Sequence, residues 1–218
     1  MIEAATFNFL KSLAENNNRD WFTEHKAEYE QARENVIDFT QQLIHLLAKT
    51  DQRINADTDP KKCVMRIYRD IRFSKDKTPY KNNFGISLKT GSSHIIEYYI
   101  HIQPDRSFAG GGYWMPPADH LKAIRQEIDY NGGVLNAIVT DASFIKDFSA
   151  FDKQEQLKNL PKGYEADHPY INLLKLKSFA AMHALTNQEL MQKSAVQNVV
   201  KYLGKIRPLN NFLNQALH

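Results

Sequence analysis

Within residues 66–81, RIYRDIRFSKDKTPYK, three arginines, three lysines and two tyrosines gather with two carboxylates, Asp70 and Asp76. Arginine offers a planar fork that meets a phosphate or carboxylate through two hydrogen bonds, and lysine adds a mobile point charge. Arg66, Arg69 and Arg72, followed by Lys75, Lys77 and Lys81, therefore read as residues that would hold an anionic group. Ser74 and Thr78 add hydroxyl donors, and Tyr80 adds a ring that could stack on a base. Tyr68 and Asp70 lie in the same stretch, and Glu97, Tyr99 and His101 alternate further along. If the two stretches approach, His101, Glu97, Tyr68 and Asp70 are the candidate groups for acid–base chemistry over that floor.

The charge distribution sharpens this location. The 218-residue chain carries a net charge of +3. Residues 61–89 alone hold Lys61, Lys62, Arg66, Arg69, Arg72, Lys75, Lys77, Lys81 and Lys89 against Asp70 and Asp76, a net of +7, while residues 1–60 are acidic by 5. Such a block either binds an anion or is neutralised inside the protein. The second reading has its own candidates. Arg69 falls by parity among apolar side chains, where it would need a carboxylate such as Asp20 or Glu24, and Asp70 can offset Arg66 or Arg72.

The elements that must position these residues follow from periodicity. Phe9, Leu10 and Leu13 mark a helix over 6–14, ended by Asn16-Asn17-Asn18. Apolar residues recur at three- and four-residue steps from Trp21 to Leu47, which predicts one amphipathic helix or a bent pair capped by Asn18 or Asp20. Trp21, Phe22 and Tyr29 then belong to the core. Period two predicts strands over 63–73, 84–89, 94–103 and 107–114, with Gly110-Gly111-Gly112 marking a bulge or a close backbone approach. Helices are predicted over 118–129, after Pro116-Pro117, over 134–140 and 142–148, and from Thr186 to about Leu203, with a last turn over 209–217. Residues 152–170 read as mainly irregular, and 173–183 as a helical start that ends in a strand.

The fold class is thus α+β: a largely antiparallel sheet of about four to six strands with N-terminal, middle and C-terminal helices. Without a repeat or linker, 1–218 reads as a single domain, helical over 1–50, with a sheet core over 63–114 and mainly helical over 117–218.

Several classes with short signatures are unsupported. There is no phosphate-loop motif, dinucleotide fingerprint, H-E-x-x-H, C-x-x-C pair or G-x-S-x-G, so no metal, nucleotide or flavin motif is present. His25, His94, Asp167 and His168 match no metal spacing, and Pro161–Tyr164 with Asp167-His168-Pro169 read as rigid turns or the rim of a cleft. Cys63 is the only cysteine, and the N-terminal residues lack a signal-peptide pattern and the chain a long apolar run, so a cytoplasmic protein without membrane association is expected.

The block RIYRDIRFSKDKTPYKNNFGI resembles the signature of the family known as domain of unknown function 2461. NNNRDWFTEHKAEYE at 16–30, FAGGGYWMP at 108–116, LKNLPKGYEADHP at 157–169 and LLKLKSF at 173–179 support it in family order. The resemblance implies a conserved hypothetical protein and carries no assigned activity. From the residues themselves, the leading expectation is binding of a phosphate- or carboxylate-bearing small molecule, with or without catalysis, by an unidentified cofactor or none. Two alternatives stay open. One is a nucleic-acid-binding protein with Lys75, Lys77 and Lys81 on phosphates and Tyr80 or Phe84 on bases. The other is an interaction module whose arginines form internal ion pairs.

Overall fold

The computed structural model describes residues 1–90, 95–148 and 156–218. His94 and the stretch 152–155, both named above, lie outside the described residues. The fold is α+β, and its one sheet, among the described residues, is antiparallel with four strands in the order β1-β2-β3-β4: Phe84–Thr90, Ile96–Ile102, Ser107–Tyr113 and Phe179–Leu185. By their contacts the residues group into two compact units. One holds Met1–Leu88, Tyr99–Ala109 and Ala184–Lys201; the other holds Lys89–Tyr98, Gly110–His183 and Tyr202–His218.

In the first unit, α1 (Ala4–Glu15) buries Phe7, Phe9, Leu10 and Leu13. Its opening N–H groups have no cap from Glu3; instead Asn35 of α3 (Lys26–Ala48) accepts from the Glu3 N–H at 2.9 Å and the Thr6 hydroxyl at 2.8 Å. Asn18 caps α2 (Arg19–Glu24) by accepting from the Trp21 N–H at 2.9 Å. His25 interrupts the helical backbone between α2 and α3, so the long periodic stretch is a bent pair. Val36, Phe39, Leu43 and Leu47 are buried along α3. Phe22 is core as expected, whereas Trp21 and Tyr29 are half-buried.

The largest departure lies in the basic segment. After α4 (Pro60–Cys63), residues 64–73 form no strand; they make only isolated bridges, Val64 with Ile86 and Tyr68 with Tyr80. Met65 donates to the Gly85 carbonyl at 2.8 Å, but Arg69 donates to Pro79 at 2.9 Å, and Lys81 donates to Ile67 at 2.7 Å. The segment thus changes partner in mid-course. Its second partner contains Pro79, which has no N–H to return a ladder bond. Asp70 then accepts from the Arg72 N–H at 3.3 Å, a turn that takes the backbone out of extension. The expected apolar face does not exist: Ile67 is buried, but Phe73 is 96% exposed and Met65 is exposed too.

In the second unit, α5 (Ala118–Thr140) runs past the expected break at Gly132-Gly133, with a kink at Asn131. A Cβ on Gly132 would sit 2.3 Å from the Tyr170 ring, so that glycine serves close packing rather than helix termination. Short helices α6 (Ala142–Asp147) and α7 (Ile171–Leu174) follow, and β4 begins at Phe179 as the helix-to-strand reading implied. Tyr164 donates to the Pro161 carbonyl at 3.3 Å, which makes residues 161–164 a turn.

Thr186 and Glu189 form the expected capping box, but the helix they open, α8 (Asn187–Met191), is short. The final helix, α9 (Ala195–Ala216), continues through Pro208 instead of ending near Leu203. A mid-helix proline costs about 3 kcal/mol. Ile206, Leu209, Phe212 and Leu213 are all buried around it and offset that loss.

Candidate functional site

The two stretches richest in side-chain chemistry, 16–20 and 66–81, meet in the first unit. Asn17 makes the junction: its amide donates to the Tyr80 carbonyl at 3.0 Å and accepts from the Tyr80 N–H at 3.1 Å. One side chain thereby satisfies both backbone groups of a residue 63 positions away. Below it the Tyr80 ring is buried and stacked on Phe22, with centroids 4.0 Å apart and planes at 14°. Between these stretches lies a shallow cleft of about 770 Å³, largely open to solvent. Residues 17–20 form one wall, and Ile71 with residues 76–79 forms the other.

The second wall is braced from behind. Arg69 donates to Asp76 Oδ2 at 2.5 Å, to the Thr78 carbonyl at 3.1 Å and to the Thr78 hydroxyl. Asp76 in turn accepts from the Thr78 N–H at 2.9 Å. The partner of Arg69 is therefore Asp76, not Asp20 or Glu24. A carboxylate seven residues away in the same loop is held by local turn geometry, and no helix needs to reach it. The Thr78 N–H, then the Arg69 guanidinium and the Thr78 hydroxyl, hold the Asp76 carboxyl at about 2.

Because that value lies below the ordinary 3.8, ionised Asp76 favours the folded loop at pH values above about 4. The benefit fades as pH falls from about 4 towards 2. A carboxyl-detected NMR titration should place the Asp76 midpoint near 2, and Arg69→Met should move it upward. A midpoint near 4 in the unmodified protein would show that the brace is absent in solution.

The remaining candidates divide clearly. Arg72 is bound to Asp70 at 3.0 and 2.6 Å in a two-point pair, which pulls the Asp70 carboxyl below its usual range. Lys77 Nζ donates to the Ile71 carbonyl at 2.9 Å, leaving two of its three N–H donors. Among the described residues, no carboxylate pairs with Arg66, Lys75, Lys77 or Lys81. Burial, and then the nearby Arg66 charge, push the Lys81 ammonium down. Arg19 in the opposite wall also has no carboxylate partner among the described residues. Sequence reading missed Arg19, since one arginine at a helix start looks like ordinary solvated surface.

Tyr80 and Phe84 are not open stacking platforms. Tyr80 lies on Phe22, and Phe84 is buried 6.2 Å from the Tyr29 ring in near-parallel stacking. Tyr68 stays half exposed, with its ring 5.5 Å from that of Tyr80.

The row on β2 is partly realised. His101 Nδ1 lies 3.3 Å from the Tyr99 hydroxyl and Nε2 lies 2.9 Å from Gln103 Oε1, while its ring stacks on Phe108 at 4.9 Å. In the tautomer with the proton on Nε2, that nitrogen donates to Gln103 Oε1 and Nδ1 accepts from the Tyr99 hydroxyl. Burial lowers the affinity of the ring for a second proton. Both nitrogens are thus engaged by neighbours. The Tyr99 hydroxyl also stands 2.7 Å from where a Cβ on Gly85 would be, beside the Met65 sulfur. Glu97 falls in the second unit, where its carbonyl accepts from Asn210 at 3.3 Å.

Two further histidines among the described residues pair with neighbouring side chains. His25 stacks on Trp21 at 4.0 Å, and His168 bonds Asp129 at 3.1 Å. The Gly110–Gly112 run admits the β4 backbone: a Cβ on Gly110 would lie 2.7 Å from the Ala181 carbonyl oxygen. Cys63 is buried, and burial pushes its thiol up. Among the described residues, no helix is long and apolar enough to cross a membrane.

The profile of the family described as "Conserved hypothetical protein (DUF2461)" covers residues 5–212. No curated protein and no solved structure matches the chain.

Proposed function

The chain belongs to the DUF2461 family of conserved hypothetical proteins, and from its geometry we propose that it binds a small molecule bearing a phosphate or carboxylate in the cleft between residues 17–20 and 71–79. The observation that carries this reading is the state of the cations. Arg69 and Arg72 are consumed by Asp76 and Asp70. Arg19 and Lys77, one in each wall of the cleft, have no carboxylate partner among the described residues. Arg19 and Lys77 offer charge-assisted donors to an anion on a surface that they share with Asp20 and Asp76. Asn17 and Arg69 hold the two walls in place beforehand, which lowers the ordering cost of binding.

This reading reassigns the arginines. Arg69 positions the wall and Arg72 anchors the turn at 70–72, so the internal ion-pair alternative accounts for those two. Arg66, Lys75 and Lys81 form the basic surround that draws an anion in. The same reading puts the protein in the cytoplasm, supported by a lone buried thiol that can form no internal disulfide.

Calorimetric titration with inorganic phosphate and with citrate tests it. At least one should bind saturably, and Arg19→Ala and Lys77→Ala should each weaken that anion about tenfold or more, Arg19→Ala without lowering the melting temperature and Lys77→Ala with only the small loss expected from its bond to the Ile71 carbonyl. Charge-assisted hydrogen bonds of about 1.5–3 kcal/mol set that scale. Absence of saturable binding by either anion overturns the proposal.

A further inference from the structure

Phe73 is the most exposed large apolar residue among those described, at 96%. The sequence assigns it to an apolar strand face, and the fold does not bury it there. It sits in a turn that is built rather than loose: the Ser74 N–H donates to the Ile71 carbonyl at 3.4 Å, and the Lys77 ammonium donates to the same carbonyl at 2.9 Å. Ile71 and Lys77 both line the cleft. The Arg72 guanidinium stands 5.9 Å from the Phe73 ring centroid, with its fork fixed on Asp70. An exposed phenyl ring is thus placed one short turn from a cation of the cleft wall. Asp20 in the facing wall offers a carboxylate with no partner among the described residues.

Phe73 does not itself line the cleft, but in the chain it stands between Ile71 and Lys77, which do. Arg19 and Lys77 suit a phosphate, Asp20 suits the hydroxyls of a sugar, and Phe73 suits a flat ring. Resting on the reading of the cleft above, we propose that its ligand is a nucleotide unit, free or within a single strand, with its phosphate between Arg19 and Lys77 and its base against Phe73. Phenylalanine reads no base edge, so recognition is tolerant of base identity. Lys75, beside the turn and without a carboxylate partner among the described residues, suits the next phosphate of a strand.

The test compares the full chain and Phe73→Ala against inorganic phosphate, ribose 5-phosphate, the four ribonucleoside monophosphates and a uridine homopolymer of about eight nucleotides. Nucleoside monophosphates should bind about tenfold tighter than ribose 5-phosphate, and Phe73→Ala should erase that difference while leaving phosphate binding and the melting temperature unchanged. A homopolymer that binds tighter than the mononucleotides, with an affinity that falls steeply with salt, identifies a strand; equal affinities identify the free nucleotide. If ribose 5-phosphate binds as tightly as the nucleotides, the inference fails and the anion cleft survives. If citrate binds and phosphate does not, the inference fails and the cleft reading survives; if neither binds, the cleft reading fails first. Phe73-dependent binding to phosphatidylserine vesicles without nucleotide binding overturns the inference in favour of a lipid surface.

Discussion

Phe22→Ala should cost about 3–5 kcal/mol of stability and remove anion binding with it. The ring is 4% exposed and lies between Tyr80 at 4.0 Å, Tyr29 at 5.1 Å and Phe9 at 6.4 Å. Truncation leaves a cavity that those rings cannot all close, and the transfer loss adds to it. Tyr80 would lose the surface against which it stacks, and Asn17 would then hold an unsupported backbone. The wall at 76–79 depends on that anchorage, so the cleft should fail before the fold does. Urea titration measures the first effect as a lower midpoint with unchanged slope, and phosphate calorimetry measures the second. Phe22→Leu keeps most of the volume and should cost less than half as much. A loss below about 1 kcal/mol for Phe22→Ala would mean that the Phe22–Tyr80 stack does not support the loop.

What the sequence disclosed depended on whether the governing interaction was periodic. Leu10, Leu13, Val36, Phe39 and Leu43 announce helical faces because burial repeats with the turn, and all five are buried. Ile96, Tyr98, Ile100 and Ile102 announce β2 for the same reason. The stretch 63–73 also alternates, yet parity describes one chain only and a strand needs a partner. Pro79 and the Asp70 turn deny it a continuous ladder, and Phe73 is left in solvent. The site was legible in the same uneven way. Arg69, Lys77 and Thr78 fall within the stretch that the residue types single out, and they do shape one wall of the cleft. The other wall was hidden, because Asn17 reads locally as a helix terminator. Its bonds to Tyr80 span 63 residues and follow no period. The available signal was the resemblance itself, since its blocks at 16–30 and 66–81 are the two that meet.

Gly112→Ala should be the most damaging single-methyl addition, at about 3–4 kcal/mol. Two costs coincide at this position. Its φ of +107° is one that L side chains rarely adopt, and a Cβ there would stand 2.0 Å from the Phe179 carbonyl oxygen. Gly163 separates the two costs. Its φ is +90° and a Cβ there would meet nothing within 4 Å. Gly163→Ala therefore reports backbone strain alone, about 1–2 kcal/mol. The difference between the variants, measured by denaturant unfolding, is the cost of forcing the β3 and β4 backbones apart. Comparable losses at the two positions would mean that β4 yields to the methyl group without resistance. A larger loss at Gly112 would show that FAGGGY is glycine-rich because two backbones must approach closely, which accounts for the run without assigning it a ligand. Phosphate affinity should be unchanged in Gly163→Ala, whose turn contributes no side chain to the cleft.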